Sequence, residues 1–176
     1  MLILISGVPG TGKTSVAEAL AKKLKAKELD IKRIAHKNHL ILGYDDKLKS
    51  LIIDEKKISK AVEKELKNKS GVFIIASHLS HFIKPELAKL MIVLRCNPDV
   101  LERRLKHRGY SGDKLGENIM CEYIDTILIE ALQEGHKKHL HEINTSRKTP
   151  SATADEIVAV LNKKKKMSFG NIKWLG

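Results

Sequence analysis

The sequence predicts an α/β protein in which a parallel sheet is covered on both faces by helices. Three observations carry that reading. An apolar run at residues 2–5 leads into "GVPGTGKTS" (residues 7–15) and then into a segment whose apolar residues Val16, Ala19, Leu20 and Leu24 fall at helical spacing. Further strand-like runs at 31–35, 72–76, 90–95 and 139–144 alternate with helical stretches at 55–68, 98–108, 116–134 and 153–162. Alternation of this kind builds a parallel sheet, here a central parallel five-stranded one. The chain has 176 residues, within the usual range for one domain with its own core.

The elements can be justified in order. The first run is continuously apolar, as a strand buried on both faces must be. The turn after it matches the phosphate-loop pattern G-x-x-x-x-G-K-[ST] through Gly7, Gly12, Lys13 and Thr14. Glycines let backbone N–H groups turn inward on phosphates, and the following helix N-terminus adds partial positive charge. Lys13 can then reach the β and γ phosphates, and Thr14 is placed to ligate Mg²⁺. A turn that only joined a strand to a helix would need neither the lysine nor the hydroxyl. Downstream, Asp54 and Glu55 suit the start of the helix at 55–68. Pro98 suits a first helical turn, with Asn97 as its cap.

In "PDVLERRLKHRGYSGDKLGENI", Arg104 and Arg108 are four apart and share a helix face, with Arg103 adjacent. The glycine-bounded "GYSGDKLG" can close over a nucleotide, and arginines delivered by such a lid neutralise charge on a transferred phosphoryl group.

Net charge is +12, with four of those charges in the run 163–166. Nucleotides, RNA and ribosomal surfaces all fit that excess, and so does a solvated lysine-rich surface. Three Phe, three Tyr and one Trp are few for a module that binds RNA by base stacking. No apolar stretch approaches the roughly 20 residues that span a bilayer, and no basic leader precedes the first strand, so a cytoplasmic protein without a membrane partner is expected. Cys96 and Cys121 are expected to be reduced core thiols rather than a disulfide or a metal site.

The segments "GVPGTGKTS", "GYDDKLKSLIIDE", "HLSHF", "LRCNPDVLERRLKHRGYSGDKLGENIMCEYID" and "NTSRKTP", in that order, resemble the adenylate kinase isoenzyme 6 family, including its archaeal members. The resemblance covers nearly the whole chain. It implies a three-layer phosphate-loop NTPase fold: a nucleoside monophosphate kinase domain at 1–162, with a small monophosphate-binding segment at 30–53 and a lid at 107–117, followed by a basic tail at 163–176. The implied activity is ATP + AMP giving two ADP, with Mg²⁺ accompanying ATP and with ATPase activity besides. AMP or another nucleoside monophosphate is the implied acceptor. The resemblance also implies a role in late maturation of the small ribosomal subunit and its 16S rRNA. The partner would be a ribosomal protein of the subunit platform. By its charge, the run 163–166 can meet rRNA or an acidic extension of a protein partner.

Carried over position by position, Gly10, Gly12, Lys13, Thr14 and Ser15 take the ATP phosphates and Arg108 touches ATP. The turn "TSRKTP" passes beside adenine, with Arg147 or Lys148 at the base-contacting position. Lys13, Arg108 and His78 are the catalytic candidates, His78 as the group that positions water or the acceptor, with His81 a weaker one. Two positions depart from the pattern. Ala76 stands where eukaryotic relatives carry an aspartate that would help hold Mg²⁺. His36 stands where some relatives carry an arginine for the monophosphate, a role that Arg33 or Lys37 can take over. Asp45, Asp46, Asp54 and Glu55 are placed to meet ribose, an acceptor base or hydrated Mg²⁺, and the last two also to cap a helix. Three other readings share these features: an assembly ATPase with vestigial kinase activity, a small-metabolite kinase, and an RNA-binding module. Trp174 and Leu175 either anchor a partner or fold back on the body.

Overall fold

The computed structural model describes residues 1–46 and 50–174. After β1 (Leu2–Ser6) and α1 (Lys13–Leu24) come β2 (Lys27–Glu28), α2 (Ile31–Lys37) and a hairpin of β3 (Ile41–Asp45) with β4 (Ser50–Ile53). The chain continues through α3 (Glu55–Leu66), β5 (Phe73–Ala76), β6 (Leu90–Arg95), α4 (Pro98–His107), α5 (Gly112–Tyr123), α6 (Thr126–Gln133), β7 (Leu140–Asn144) and α7 (Pro150–Leu161). Five strands form one parallel sheet in the order β2-β5-β1-β6-β7, and β3 and β4 pair antiparallel beside it.

Every residue of β1 and β6 is buried, so continuous apolar runs become strands covered on both faces. Side chains alternate along a strand, and the core divides accordingly. Leu2, Leu4, Ile75, Met91 and Val93 pack with Ile31 and Ile34 of α2, Ile58 and Val62 of α3 and Leu128 of α6. Ile3, Ile5, Ile74, Ile92 and Leu94 pack with Val16, Ala17 and Leu20 of α1 and Ala154, Ile157 and Val160 of α7. The result is the expected three-layer α/β architecture, with the carboxyl ends of β1, β5 and β6 opening toward the phosphate loop.

Caps form where the sequence places them. The Asp54 carboxylate accepts from Lys57 N, and the Asn97 side chain accepts from Asp99 N and Val100 N. Two elements need correction. Residues 31–35, expected as a strand, are helical: the Asp30 carboxylate accepts from Lys32 N, and Ile31, Ile34 and Ala35 are buried at helical spacing. The edge of the sheet is instead the two-residue β2, both of whose residues are exposed. The single helix expected at 116–134 is two, broken at Asp125, whose φ of 59° leaves the helical region.

The break is tied to a buried guanidinium. Arg95, 2% exposed, donates from Nε to Glu122 Oε1 at 2.7 Å, from Nη1 to Glu142 Oε1 at 2.5 Å, and from Nη2 to the Glu122 carbonyl at 2.9 Å and to the Asp125 carboxylate. Burial alone would weaken its proton; Glu122, Glu142 and Asp125 more than restore it. Glu122 is pushed up by burial despite Arg95.

The segment after 162, the basic tail of the sequence reading, returns along β7. Glu142 N donates to Ser168 O, Ser168 N donates to His141 Nδ1, and Gly170 N donates to Glu142 Oε2. Trp174 folds back on the body: its Nε1 donates to Glu122 Oε1 at 2.9 Å, and its ring lies 5.7 Å from the Arg95 guanidinium. Leu175 lies outside the described residues. Cys96 and Cys121 are free thiols, Cys96 fully buried and Cys121 partly so. Among the described residues no helix is long and apolar enough to cross a membrane.

Replacing Arg95 by Met should cost roughly 3–5 kcal/mol at pH 7, because it leaves buried carboxylates unpaired. Without its partner the folded-state pKa of Glu122 lies above the unfolded value, so the loss should shrink as pH falls and the carboxyl protonates. Urea unfolding of both proteins at pH 7 and pH 5 measures this.

Candidate active site

The loop between β1 and α1 is shaped by backbone geometry. Gly7 and Gly10 have φ of 146° and 88°, and a Cβ on them would lie 2.5 Å from the Leu94 carbonyl oxygen and 2.7 Å from Leu101 Cδ1. Several loop carbonyls are already occupied. The Thr145 hydroxyl donates to Thr11 O at 2.9 Å, the Thr11 hydroxyl donates to Val8 O at 2.9 Å, and the Arg104 guanidinium reaches Gly10 O at 3.4 Å. Among the described residues, the N–H groups of Gly10 and Gly12 have no backbone partner. The N-terminus of α1 has no side-chain cap. Loop and helix thus present donors and a positive dipole end to one point, the requirement for a phosphate.

Lys13 bends back into the loop, donating to Gly7 O at 2.7 Å and Val8 O at 3.0 Å. Burial, and then Arg108, lower its pKa to about 7, while Glu122 acts the other way. Thr14 and Ser15 are exposed on the first turn of α1.

Two clefts flank the loop. The first, about 470 Å³, is lined by Gly10, Gly12, Ser15, Arg103, Arg108 and Lys148 among others. The second, about 480 Å³, is walled by Val8 and Pro9 of the loop, Lys32, His78, Tyr110 and Lys114, with apolar and acidic residues beyond. Gly10, Gly12, Ser15, Arg108 and Lys148 therefore converge on the first cleft and His78 on the second, with Lys13 rooted in the loop between them. Arg147 is exposed and lies outside the first cleft's lining, so of the two candidates Lys148 is the one at the wall. Lys148 is also paired with the Glu156 carboxylate.

Arg104 has a different part from Arg103 and Arg108. Besides Gly10 O it holds Thr145 O at 3.0 Å and so ties α4 to the loop and to the turn after β7. The segment 107–117 holds the end of α4, a turn at Gly109 with φ 80°, and the first half of α5. His78 has its pKa lowered to about 4 by burial, then by Lys13 and Lys32, and is neutral near pH 7.

Lys32 and Lys114 were missed in the sequence. Lys37, expected as a substitute cation, instead pairs with Glu65 at 3.1 Å, and neither Arg33 nor His36 lines the second cleft. Lys32 takes that wall because it sits on the first turn of α2, an element the sequence misassigned. Lys114 lies inside the quoted "GDKL" motif, which was its only signal. Asp54 serves as a cap, whereas Glu55 lines the second cleft.

The donor set for Mg²⁺ is small. Ala76 offers no carboxylate, and among the described residues no cluster of three or more His, Cys, Asp or Glu could hold a metal ion. Thr14 is exposed on the first turn of α1, a position that fits a metal arriving with a nucleotide and taking one protein hydroxyl.

Comparison with known proteins agrees with this geometry. A family model described as an AAA domain matches residues 3–125. A Pyrococcus furiosus protein named "Putative adenylate kinase" is 41% identical over 174 residues, covering 99% of this chain and 91% of its own. A protein of the same name from Thermococcus kodakarensis is 38% identical over 175 residues, covering 99% and 93%. The chain belongs to this family. In solved structures the fold of the family is matched by a shikimate kinase from Bacteroides thetaiotaomicron, with TM-score 0.59 and 18% identity over 92% of this chain and 98% of that one. A gluconokinase from Sinorhizobium meliloti matches with TM-score 0.55 and 18% identity over 92% and 91%. Both share the phosphate-loop kinase fold with this chain.

Because burial and Arg108 lower the Lys13 pKa to about 7, phosphates that restore its charge must be bound together with a proton above that pH. ATP binding at pH 8 should take up close to one proton, and affinity should fall up to about tenfold per pH unit above 7. Calorimetry in buffers of different ionisation enthalpy measures the uptake.

Proposed function

We propose that this protein is a nucleoside monophosphate kinase that transfers the γ-phosphoryl group of ATP to AMP, giving two ADP. The observation that supports this best is the pair of similar clefts meeting at one phosphate loop, with cations lining each. A donor in the first and an acceptor in the second would face one another across Lys13. The names of the relatives point the same way.

In this reading the loop N–H groups and Lys13 hold the donor phosphates, and Arg108 and Arg103 meet charge that spreads over the transferred group. The acceptor phosphate is already an anion, so no protein base is needed. Neutral His78 donates one N–H to it while Lys32 and Lys114 balance its charge. Thr14 would hold Mg²⁺, which when bound with ATP neutralises the β and γ oxygens. Closure of the 107–117 segment aligns the two nucleotides and excludes water, and incomplete exclusion accounts for ATPase activity on the side.

The test is a coupled assay of ADP formation with ATP and AMP, with Lys13→Ala as the inactive control. Arg108→Ala should lower kcat by roughly 10²-fold with a much smaller rise in KM for ATP, as expected of a group that acts on transition-state charge. A change confined to KM would make Arg108 a binding residue only.

A second reading, participation in small-subunit assembly, is favoured by the exposed lysines at 163, 164 and 166; Lys165 is engaged by Glu156. Deleting the tail would also remove Trp174 from Glu122, so the sharper test is charge removal. Replacing Lys163, Lys164 and Lys166 by Gln should leave AMP turnover intact while weakening association with small ribosomal subunits and its salt dependence. Unchanged association excludes the lysines as the contact.

A further inference from the structure

The second cleft is lined by charges of both signs. Lys13 and Lys32 lie close enough to His78 for both to disfavour a charge on the imidazole. The lining also includes Glu55 at the start of α3 and Glu130 on α6; burial pushes both carboxyls up, Glu134 adds to each, and Glu55 adds to Glu130. Leu51, Leu79, Phe82 and Ile127 are among its apolar groups.

Glu130 lies against a buried imidazole. His81, 1% exposed, has Nδ1 3.1 Å from the Ser6 hydroxyl, and its ring lies 4.2 Å from that of Phe82. Its Nε2 is 3.0 Å from Glu130 Oε2, yet not aligned for a hydrogen bond, and is the buried side-chain polar atom without a hydrogen-bond partner among the described residues. Apart from His81, Glu130 makes no ion pair or side-chain hydrogen bond among those residues, and Glu55 makes none. A buried imidazole and two carboxylates therefore border the cleft with hydrogen-bonding capacity to spare. Unpaired carboxylates accept only, so N–H donors of a bound molecule relieve them.

A nucleoside monophosphate carries both groups such a lining can hold, an anion for Lys32, Lys114 and His78 and a flat base with N–H donors for the carboxylates. We propose that Glu130, seated by His81 and backed by Glu55, reads the exocyclic amino group of the acceptor base. Adenine and cytosine both present such an amine. Uracil presents a carbonyl oxygen in its place, whose lone pairs would face the carboxylates. This assignment rests on the monophosphate kinase reading and names the specificity determinant of its acceptor site.

The experiment measures kcat and KM for AMP, CMP and UMP at saturating ATP in wild type, Glu130→Gln, Glu55→Gln and Glu134→Gln. In wild type, kcat/KM for UMP should be roughly 10- to 100-fold below that for AMP and CMP, the value of a hydrogen bond to a charged group, with the loss mainly in KM. Glu130→Gln adds amide donors that accommodate uracil, so the gap should shrink from both sides. Glu55→Gln, at an exposed position that tolerates the change, should shrink it in smaller measure. Glu134→Gln, which removes a nearby charge from outside the cleft wall, should leave the ratio unchanged. Equal use of UMP and AMP by wild type, or a ratio that ignores both Glu130 and Glu55, overturns the assignment while the kinase reading stands. Absence of turnover with every monophosphate sinks that reading and this one with it.

Discussion

A single buried cation sets much of the arrangement. Arg95 stands at the carboxyl end of β6, and its partners come from β7, from α5, and from the break between α5 and α6. Such a charge is tolerated only while its acceptors stay in place, so the cluster dictates where these elements meet. Glu122 extends that influence: its Oε1 also accepts Cys96 N at 3.1 Å, at the approach to α4, and Trp174 Nε1 from the returning chain. The same carboxylate helps set the charge state of Lys13. The helix carrying Lys114 and the helix carrying Arg108 are thus anchored on the protein side of the loop they flank.

The loop divides the space above the sheet into two compartments of different character. The first carries cations on its wall, Arg103, Arg108 and Lys148 among them. The second is lined by lysines and glutamates together. Arg104, which resembles Arg103 and Arg108 in sequence, is spent on the scaffold, where it holds the carbonyls of Gly10 and Thr145.

What was legible in the sequence follows from how local each determinant is. The phosphate loop could be read because each of its positions answers to a separate chemical need, and the caps at Asp54 and Asn97 because a cap acts within three residues. Residues 31–35 were misread because five residues of mixed apolar character fit a strand and a helix alike; Asp30, one position earlier, is the capping signal that decides it. The β3–β4 hairpin was missed because much of its apolar surface is exposed, Leu42 67% and Tyr44 54%, with Ile53 at its end reaching the core, so the buried face imposes little pattern. The Arg95 cluster could not be read at all, since its partners lie 27, 30 and 47 residues away. The acids of the second cleft share that difficulty: Glu55 looks like a helix-start residue, and Glu130 acquires its setting only when His81 is brought beneath it.

The returning chain segment also bears on how the sheet meets other molecules. A parallel sheet has two edges, each a row of backbone groups able to template a foreign strand. On one side the edge is β2, two residues long and made of a lysine and a glutamate. On the other, β7 would present a longer and more apolar row, but Ser168 takes the Glu142 N–H and Phe169 is packed into the core beside it. The stretch from 168 to 170 thus acts as a selvedge, binding off the sheet where it would otherwise be open to intermolecular pairing.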